Sequence, residues 1–384
     1  MKKFIRTISL VLVLVFIFSS LNVISALEIK KAPLEINAKS AVLMDAKTGT
    51  VLYSLNKDTP LPPASVTKVM TLLLVFEAIE DGKLRYDDEL TVSENASSMG
   101  GSQVYLEPGE KMCVDELLKC VIIASANDAA LTLAENVAGS EEAFIYEMNK
   151  RSKEIGMKST RFENVTGLDD DTNSHVTSAY DIALMSRELI KHKKVSEYAT
   201  IWMDTIRNGE FGLSNTNRLV RFYKGITGLK TGSTSKAGFC VSATAKRDGL
   251  ELIAVIMGAE SSEIRNNCAT KLLDYGFANY SMFYSDSGIC ENIPILCGEK
   301  DYFNGKYNDF YALGLKNNMN LTSKITIEEN INAPVKENDA IGKIEYFLDG
   351  EKIAEEKVFS AESVDKITYL SYLVKILKKF LLIN

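Results

Sequence analysis

Three short motifs in this chain of 384 residues could carry nucleophilic chemistry. The first, Ser65-Val66-Thr67-Lys68, sets a hydroxyl and an amine three residues apart, a spacing that brings both onto one face of a helix. A serine hydroxyl attacks poorly until a base takes its proton. Histidine is scarce: the chain has two, His175 and His192. His192 stands in Lys191-His192-Lys193-Lys194, which reads as a solvated helix end. His175, in Ser174-His175-Val176-Thr177, reads as a structural loop residue. Lys68 is therefore the candidate base, if burial or a nearby cation lowers its pKa to roughly 7–8. The helix start also offers backbone N–H groups to a developing oxyanion. The second motif is Ser125-Ala126-Asn127 and the third is Lys230-Thr231-Gly232. Each is common alone. Ser54/Lys57 and Ser233/Lys236 repeat the first, Ser93-Glu94-Asn95 the second and Lys47-Thr48-Gly49 the third. The repeats of the first and third motifs fall in stretches that read as turns or loops. The specific signal is the triplet in chain order.

Composition narrows the chemistry further. A net charge of -7 without a long basic run in the body excludes a nucleic-acid partner, because phosphate binding needs a clustered cationic face. No His-Glu-x-x-His pattern occurs, and the reading calls for no metal and no organic cofactor. The six cysteines form no Cys-x-x-Cys pair and read mostly as buried free thiols, with a Cys290–Cys297 bridge as an alternative.

The elements that must hold the motifs follow from periodicity. Residues 41–44 and 50–53, joined by Asp45-Ala46-Lys47-Thr48-Gly49, read as a hairpin. Helical patterns run from Val66 to about Ile79, from Asp115 to Ala138 with a break around Ser125, and from Thr177 to Leu189. Strands are expected at 239–244 and 252–257 with a turn at Arg247-Asp248-Gly249, then a helix from Asn266 to Phe277. Strands at both ends of a helical middle imply an α/β (α+β) domain, one antiparallel sheet covered by helices. Beyond about Ser285 short β-like runs appear, with Asp349-Gly350 as a hairpin turn. A small all-β domain is expected there.

Both chain ends read as addresses. Residues 1–26 combine a basic start, an apolar stretch and small residues, the pattern of a secretory signal peptide cleaved near Ala26. The apolar run is also long enough to serve as a membrane anchor. At the other end Ile367, Leu370, Leu373, Val374, Leu377 and Leu381 recur at helical spacing among Lys366, Lys375, Lys378 and Lys379. A basic amphipathic helix of this kind suits an anionic membrane surface. The expected layout is a leader at 1–26, a catalytic domain at 27–284, a β-rich domain at 285–363 and the helix at 364–384.

The motif triplet is the signature of penicillin-binding proteins and class A β-lactamases. The chain resembles, over nearly its whole length, the low-molecular-mass penicillin-binding proteins that are serine-type D-Ala-D-Ala carboxypeptidases. The likeness runs through Pro63–Thr71, Leu106–Glu110, Ser125–Ala130, Asn164–Asp169, Thr216-Asn217 and Gly228–Phe239. It implies a transpeptidase/β-lactamase-like catalytic domain, and the small β domain and the tail match the family's layout. It implies peptidoglycan stem peptides ending in D-Ala-D-Ala as substrates, β-lactams as inhibitors, and a site on the outer face of the cytoplasmic membrane. Ser65 would be acylated and Lys68 would be the base. Ser125 would link Lys68 and Lys230 in proton transfer to the leaving D-alanine. Asn127 would bond the substrate amide. Thr231 and Arg265 would receive the terminal carboxylate, the N–H groups of Ser65 and Ser233 would hold the oxyanion, and Lys230 and Gly232 would also lie against the substrate. Thr166 departs from the histidine that family members often carry there. A D,D-endopeptidase, a β-lactamase and a non-catalytic β-lactam sensor are the competing readings. No Glu-x-x-Leu-Asn pattern of a class A β-lactamase lies between Asn127 and Lys230.

Overall fold

The computed structural model describes residues 34–168, 174–317 and 320–381. The leader expected at 1–26 and the motif residue Asp169 lie outside them, as do the side chains of Lys378 and Lys379. The chain divides into two compact units, with the boundary between Ser281 and Met282.

The first unit is built on a five-stranded sheet. Its strands are β1 (Ser40–Asp45), β2 (Val51–Leu55), β3 (Ile226–Thr234), β4 (Gly238–Arg247) and β5 (Leu250–Ala259). Their order is β2-β1-β5-β4-β3, with every neighbouring pair antiparallel. Every residue of β1 is buried. That run lacks polar alternation because helices cover both faces of the sheet. On one face Gly276, in the helix Ser262–Asn279, lies against Leu43 and Leu252. On the other, Ser186 of the helix Ala179–Leu189 bonds Ser242 of β4 at 2.7 Å. The expected antiparallel sheet covered by helices is the architecture observed.

The helices that frame the site and cover the sheet include α1 (Lys68–Glu80), α2 (Val114–Ile123), α3 (Asn127–Ala138), α4 (Ala179–Leu189) and α5 (Ser262–Asn279). Hydrophobic side chains surround α1, and Leu72, Leu73, Val75 and Phe76 are all buried. A helix apolar on all sides belongs in a core. Ser178 caps α4 and Ser261 caps α5, each accepting an N–H from the third residue onward. The break expected near Ser125 is real. Ser125 adopts φ +64° between α2 and α3 and lines the cleft described below.

The second unit holds a five-stranded antiparallel sheet. Its strands are β6 (Gly288–Pro294), β7 (Tyr302–Tyr307), β8 (Leu321–Ile327), β9 (Ala340–Leu348) and β10 (Glu351–Ser360), in the order β6-β7-β10-β9-β8. The β9–β10 turn is the expected Asp349-Gly350, with φ +50° and +85°. Two consecutive positive φ angles match the right-handed twist of a hairpin. Phe310 stacks on the buried Tyr346 at 3.7 Å in this core. The last described helix is α6 (Tyr369–Phe380), capped by Thr368; the helix expected from 364 starts later, because Val364 and Lys366 are instead bridged to Val335 and Gly298.

The six cysteines are free thiols as expected, but only Cys120, Cys240 and Cys268 are buried, while Cys297 is exposed. The Cys290–Cys297 bridge is therefore not formed. His192 is not a solvated end. Its ring stacks on Phe76 at 5.6 Å and bonds Glu80 at 2.8 Å. The flanking lysines disguised a half-buried ring.

Candidate active site

The site forms where the start of α1 meets the edge strand β3. Ser65 lies in a 3-10 turn, Ala64–Thr67, that leads directly into α1. Ala64 takes φ +49°, a left-handed conformation for a residue with a Cβ. This kink sets Ser65 at the mouth of a cleft of about 230 Å3. The Ser65 and Lys68 side chains meet on one face as the spacing demands, with Lys68 Nζ 3.0 Å from Ser65 Oγ. The second Lys68 bond donates to the Thr166 carbonyl at 2.9 Å.

Lys-Thr-Gly lies inside β3, and Lys230 is paired with Ser242 in register. Lys230 and Gly232, two apart on a strand, share a face. A Cβ on Gly232 would stand 2.6 Å from the Ser65 nitrogen, so only glycine lets the strand come this close. Thr231 Oγ1 bonds Thr216 Oγ1 at 2.8 Å.

Ser65, Ser125, Thr231, Gly232, Ser233 and Arg265 line the one cleft. Lys68, Asn127 and Lys230 stand buried at 0%, 2% and 1% exposure. The Asn127 amide donates to the Gly100 carbonyl at 2.7 Å. Its carbonyl oxygen is buried without a hydrogen-bond partner, and so is Ser125 Oγ. Buried polar atoms left unpaired cost free energy, and here both belong to the motif triplet. The bridge expected from Ser125 to the two lysines is not made. Lys230 Nζ donates instead to the Thr231 carbonyl at 3.0 Å.

Burial dominates the electrostatics. It pushes the Lys68 amine well below its ordinary pKa, helped by the charge of Lys230 and opposed by that of Asp128. Lys230 is lowered to about 7, first by burial and then by Arg265. Burial also lowers Arg265 to about 10; Cys240 opposes the shift and Arg218 adds to it. The Arg265 guanidinium bonds Asn266 Oδ1 through Nε at 3.1 Å and Nη2 at 3.0 Å. An amine of lowered pKa beside a hydroxyl, in a cleft lined by guanidinium groups, can deprotonate the serine and attract a carboxylate.

Sequence reading missed Arg218, Ser102 and Ser262, which also line the cleft. Arg218 follows Thr216-Asn217, which were noticed as a block, and a cation beside it was the available signal. Ser102 and Ser262 carry no local signal. Two of the repeated motifs lie elsewhere, with Thr48 of Lys47-Thr48-Gly49 bonding Asp45 in a turn and Ser93 capping a short helix, whereas Ser233/Lys236 spans the β3–β4 hairpin and only its serine lines the cleft.

Comparison with known proteins agrees with this geometry. A family model described as D-alanyl-D-alanine carboxypeptidase matches residues 27–261, and one described as the C-terminal domain of penicillin-binding protein 5 matches 283–366. The chain is 40% identical to the D-alanyl-D-alanine carboxypeptidase DacF of Bacillus subtilis, over 88% of each chain. It is 32% identical to DacC of Escherichia coli, over 86% of this chain and 85% of that one. Penicillin binding protein 5 from Haemophilus influenzae superposes with a TM-score of 0.74 at 30% identity, covering 87% of this chain and 99% of that one. Penicillin-Binding Protein D2 from Listeria monocytogenes, solved in an ampicillin-bound form, is 34% identical with a TM-score of 0.59, covering 64% of this chain and all of that one.

Proposed function

Because the chain belongs to the D-alanyl-D-alanine carboxypeptidase family, we propose that Ser65 is the nucleophile with which it removes the terminal D-alanine from peptidoglycan stem peptides. The observation that carries this reading is the depressed Lys68 amine 3.0 Å from Ser65 Oγ. Lys68 accepts the Ser65 proton as Oγ bonds the carbonyl carbon of the penultimate D-alanine. The oxyanion faces the N–H groups of Ser65 and Ser233. As the C–N bond breaks, the leaving amine takes a proton relayed through Ser125 between Lys68 and Lys230. The unpartnered Ser125 hydroxyl supports that role. The Asn127 carbonyl oxygen accepts the substrate N–H. Thr231 and Arg265, joined by Arg218, receive the terminal carboxylate. Water, deprotonated by Lys68, then cleaves the acyl-enzyme and restores Ser65.

The same nucleophile would open a β-lactam ring and keep the acyl group. In this reading the protein works outside the cytoplasmic membrane, with the 1–26 leader directing export and α6 at the membrane surface. Exposed Leu370 and Phe380 on α6 support the second part. Among the described residues no helix is long and apolar enough to cross a membrane. The domain plan is the catalytic segment 27–284 followed by the β-rich segment 285–363.

The test is release of free D-alanine from a diacetyl-Lys-D-Ala-D-Ala peptide by residues 27–363, with Ser65→Ala alongside. Release by the wild type and none by the variant is expected. Labelling of Ser65 by penicillin without release would point to a sensor or an endopeptidase. Neither release nor labelling would sink the reading.

A further inference from the structure

We propose that His175 is a positioning residue for the acylation step, holding the Ser65 turn in its reactive shape through Thr67. His175 is 2% exposed and lies with its ring edge-on to Phe162. Its Nδ1 accepts the Glu163 backbone N–H at 3.0 Å. That bond leaves the proton on Nε2, which stands 2.7 Å from the Thr67 hydroxyl oxygen. Thr67 Oγ1 in turn donates to the Ala64 carbonyl at 2.9 Å. Each atom of this relay has one consistent role: Nε2–H donates to Oγ1, and Oγ1–H donates to the carbonyl.

The relay ends at a strained point. Ala64 holds φ +49° without being glycine, a conformation that persists only when its surroundings enforce it. Its carbonyl is the atom that Thr67 grips, and Ser65 is the next residue. The relay begins at a rigid point. Arg161 and Val176 exchange both backbone bonds, as do Leu61 and Thr177, so the chain is fixed on the far side of His175. The imidazole thus transmits the position of this bridge to the kink before the nucleophile. It touches no reacting atom, so its effect falls on the placement of Ser65 Oγ against the acyl carbon.

This inference rests on Ser65 being acylated, and the assay separates the two claims. Using the full chain, reactive sites are first counted by stoichiometric labelling with a fluorescent penicillin. The acylation rate constant is then measured per labelled site. His175→Ala should lower that constant roughly 10- to 100-fold, the scale of a misplaced reacting group. His175→Gln, which keeps an N–H donor, should recover most of it. Thr67→Val should lower it as far as His175→Ala does, and the double variant no further, because one relay has one function. His192→Ala should leave it unchanged. If His175→Ala merely reduced the number of labelled sites, with the constant per site intact, His175 would be structural only and the proposal overturned. Additive losses in the double variant would also overturn it. Absence of labelling in the wild type would refute the assignment of Ser65 instead.

Discussion

The two buried lysines respond differently to pH, and the difference can be measured. Lys68 must be neutral to accept a proton, so activity rises with pH as its depressed pKa is passed. Lys230, near 7, must be charged to draw in the carboxylate, and loses that charge above about 7. Arg265, near 10, stays cationic through this range. The kcat/KM for the peptide should therefore be bell-shaped with its alkaline limb starting near pH 7. Lys230→Arg should move that limb upward by more than a pH unit; an unmoved limb would assign it to another group. Stability gives a second readout. The unfolded chain binds a proton on Lys230 up to about 10.4, whereas the fold releases it near 7. The unfolded state thus holds more protons between these values, and stability from this group falls as pH drops from about 10 towards 7. Lys230→Met should lessen the slope of the urea midpoint across that window, leaving the part of the same sign that the depressed Lys68 supplies. The motif residues were legible in the sequence because chemistry limits which residue types can do this work. Arg218 and Ser102 were not, since their positions depend on how distant loops close the cleft.

At the scale of elements, the loop carrying Val165, Thr166 and Gly167 is clamped onto the nucleophile turn. Thr71 donates to the Val165 carbonyl at 2.6 Å, and Lys68 to Thr166. Asn164 Oδ1 closes the loop by accepting the Gly167 N–H at 2.6 Å. Gly167 has φ +84°, and a Cβ there would come 1.9 Å from the Ala64 carbonyl oxygen. Gly167→Ala should therefore cost about 1–3 kcal/mol in chemical denaturation and slow β-lactam acylation in the surviving fraction. Wild-type values in both assays would show that the loop yields freely. The strand that bears Lys230 was not legible as a strand. Lys, Thr, Gly and Ser in Lys230–Ser233 have low apolar content, and what makes them β is pairing with the apolar β4, a partner outside the window. The helix α1 was legible because its apolar run is long. Its first turn is 3-10, and no sequence pattern distinguishes that turn from α.

For the whole molecule, the tail poses the clearest question. α6 leaves Tyr369, Leu370 and Phe380 at 74–88% exposure and ties Lys375 to Asp301 at 2.6 Å. Removing residues 369–384, which spares the core residue Val364 and its pairing with Val335, should abolish co-sedimentation with vesicles containing anionic phospholipid and leave D-alanine release from a soluble peptide unchanged. Equal sedimentation of both forms would place membrane affinity elsewhere. The amphipathic period was plain in the sequence. Which apolar side chains would remain uncovered was not, because that depends on the surface of the β-rich unit rather than on the helix.

The order of strands also governs when this protein can fold. β1 runs between β2 and β5, with Ser40 opposite Met257 and Asp45 opposite Leu252. The chain is made from its N-terminus, so the apolar β1 emerges long before β5 exists. Its neighbour β2 can pair at once and α4 can cover one face, but β1's other edge waits for β5 and its second face for α5. Such distant pairing is slow to form and exposes sticky surface meanwhile. No stop short of β5 gives a finished sheet. The Ser65 turn, packed against Gly232 of β3, therefore gains its reactive geometry only late in synthesis, and partial chains should carry the Ser-x-x-Lys motif without the activity.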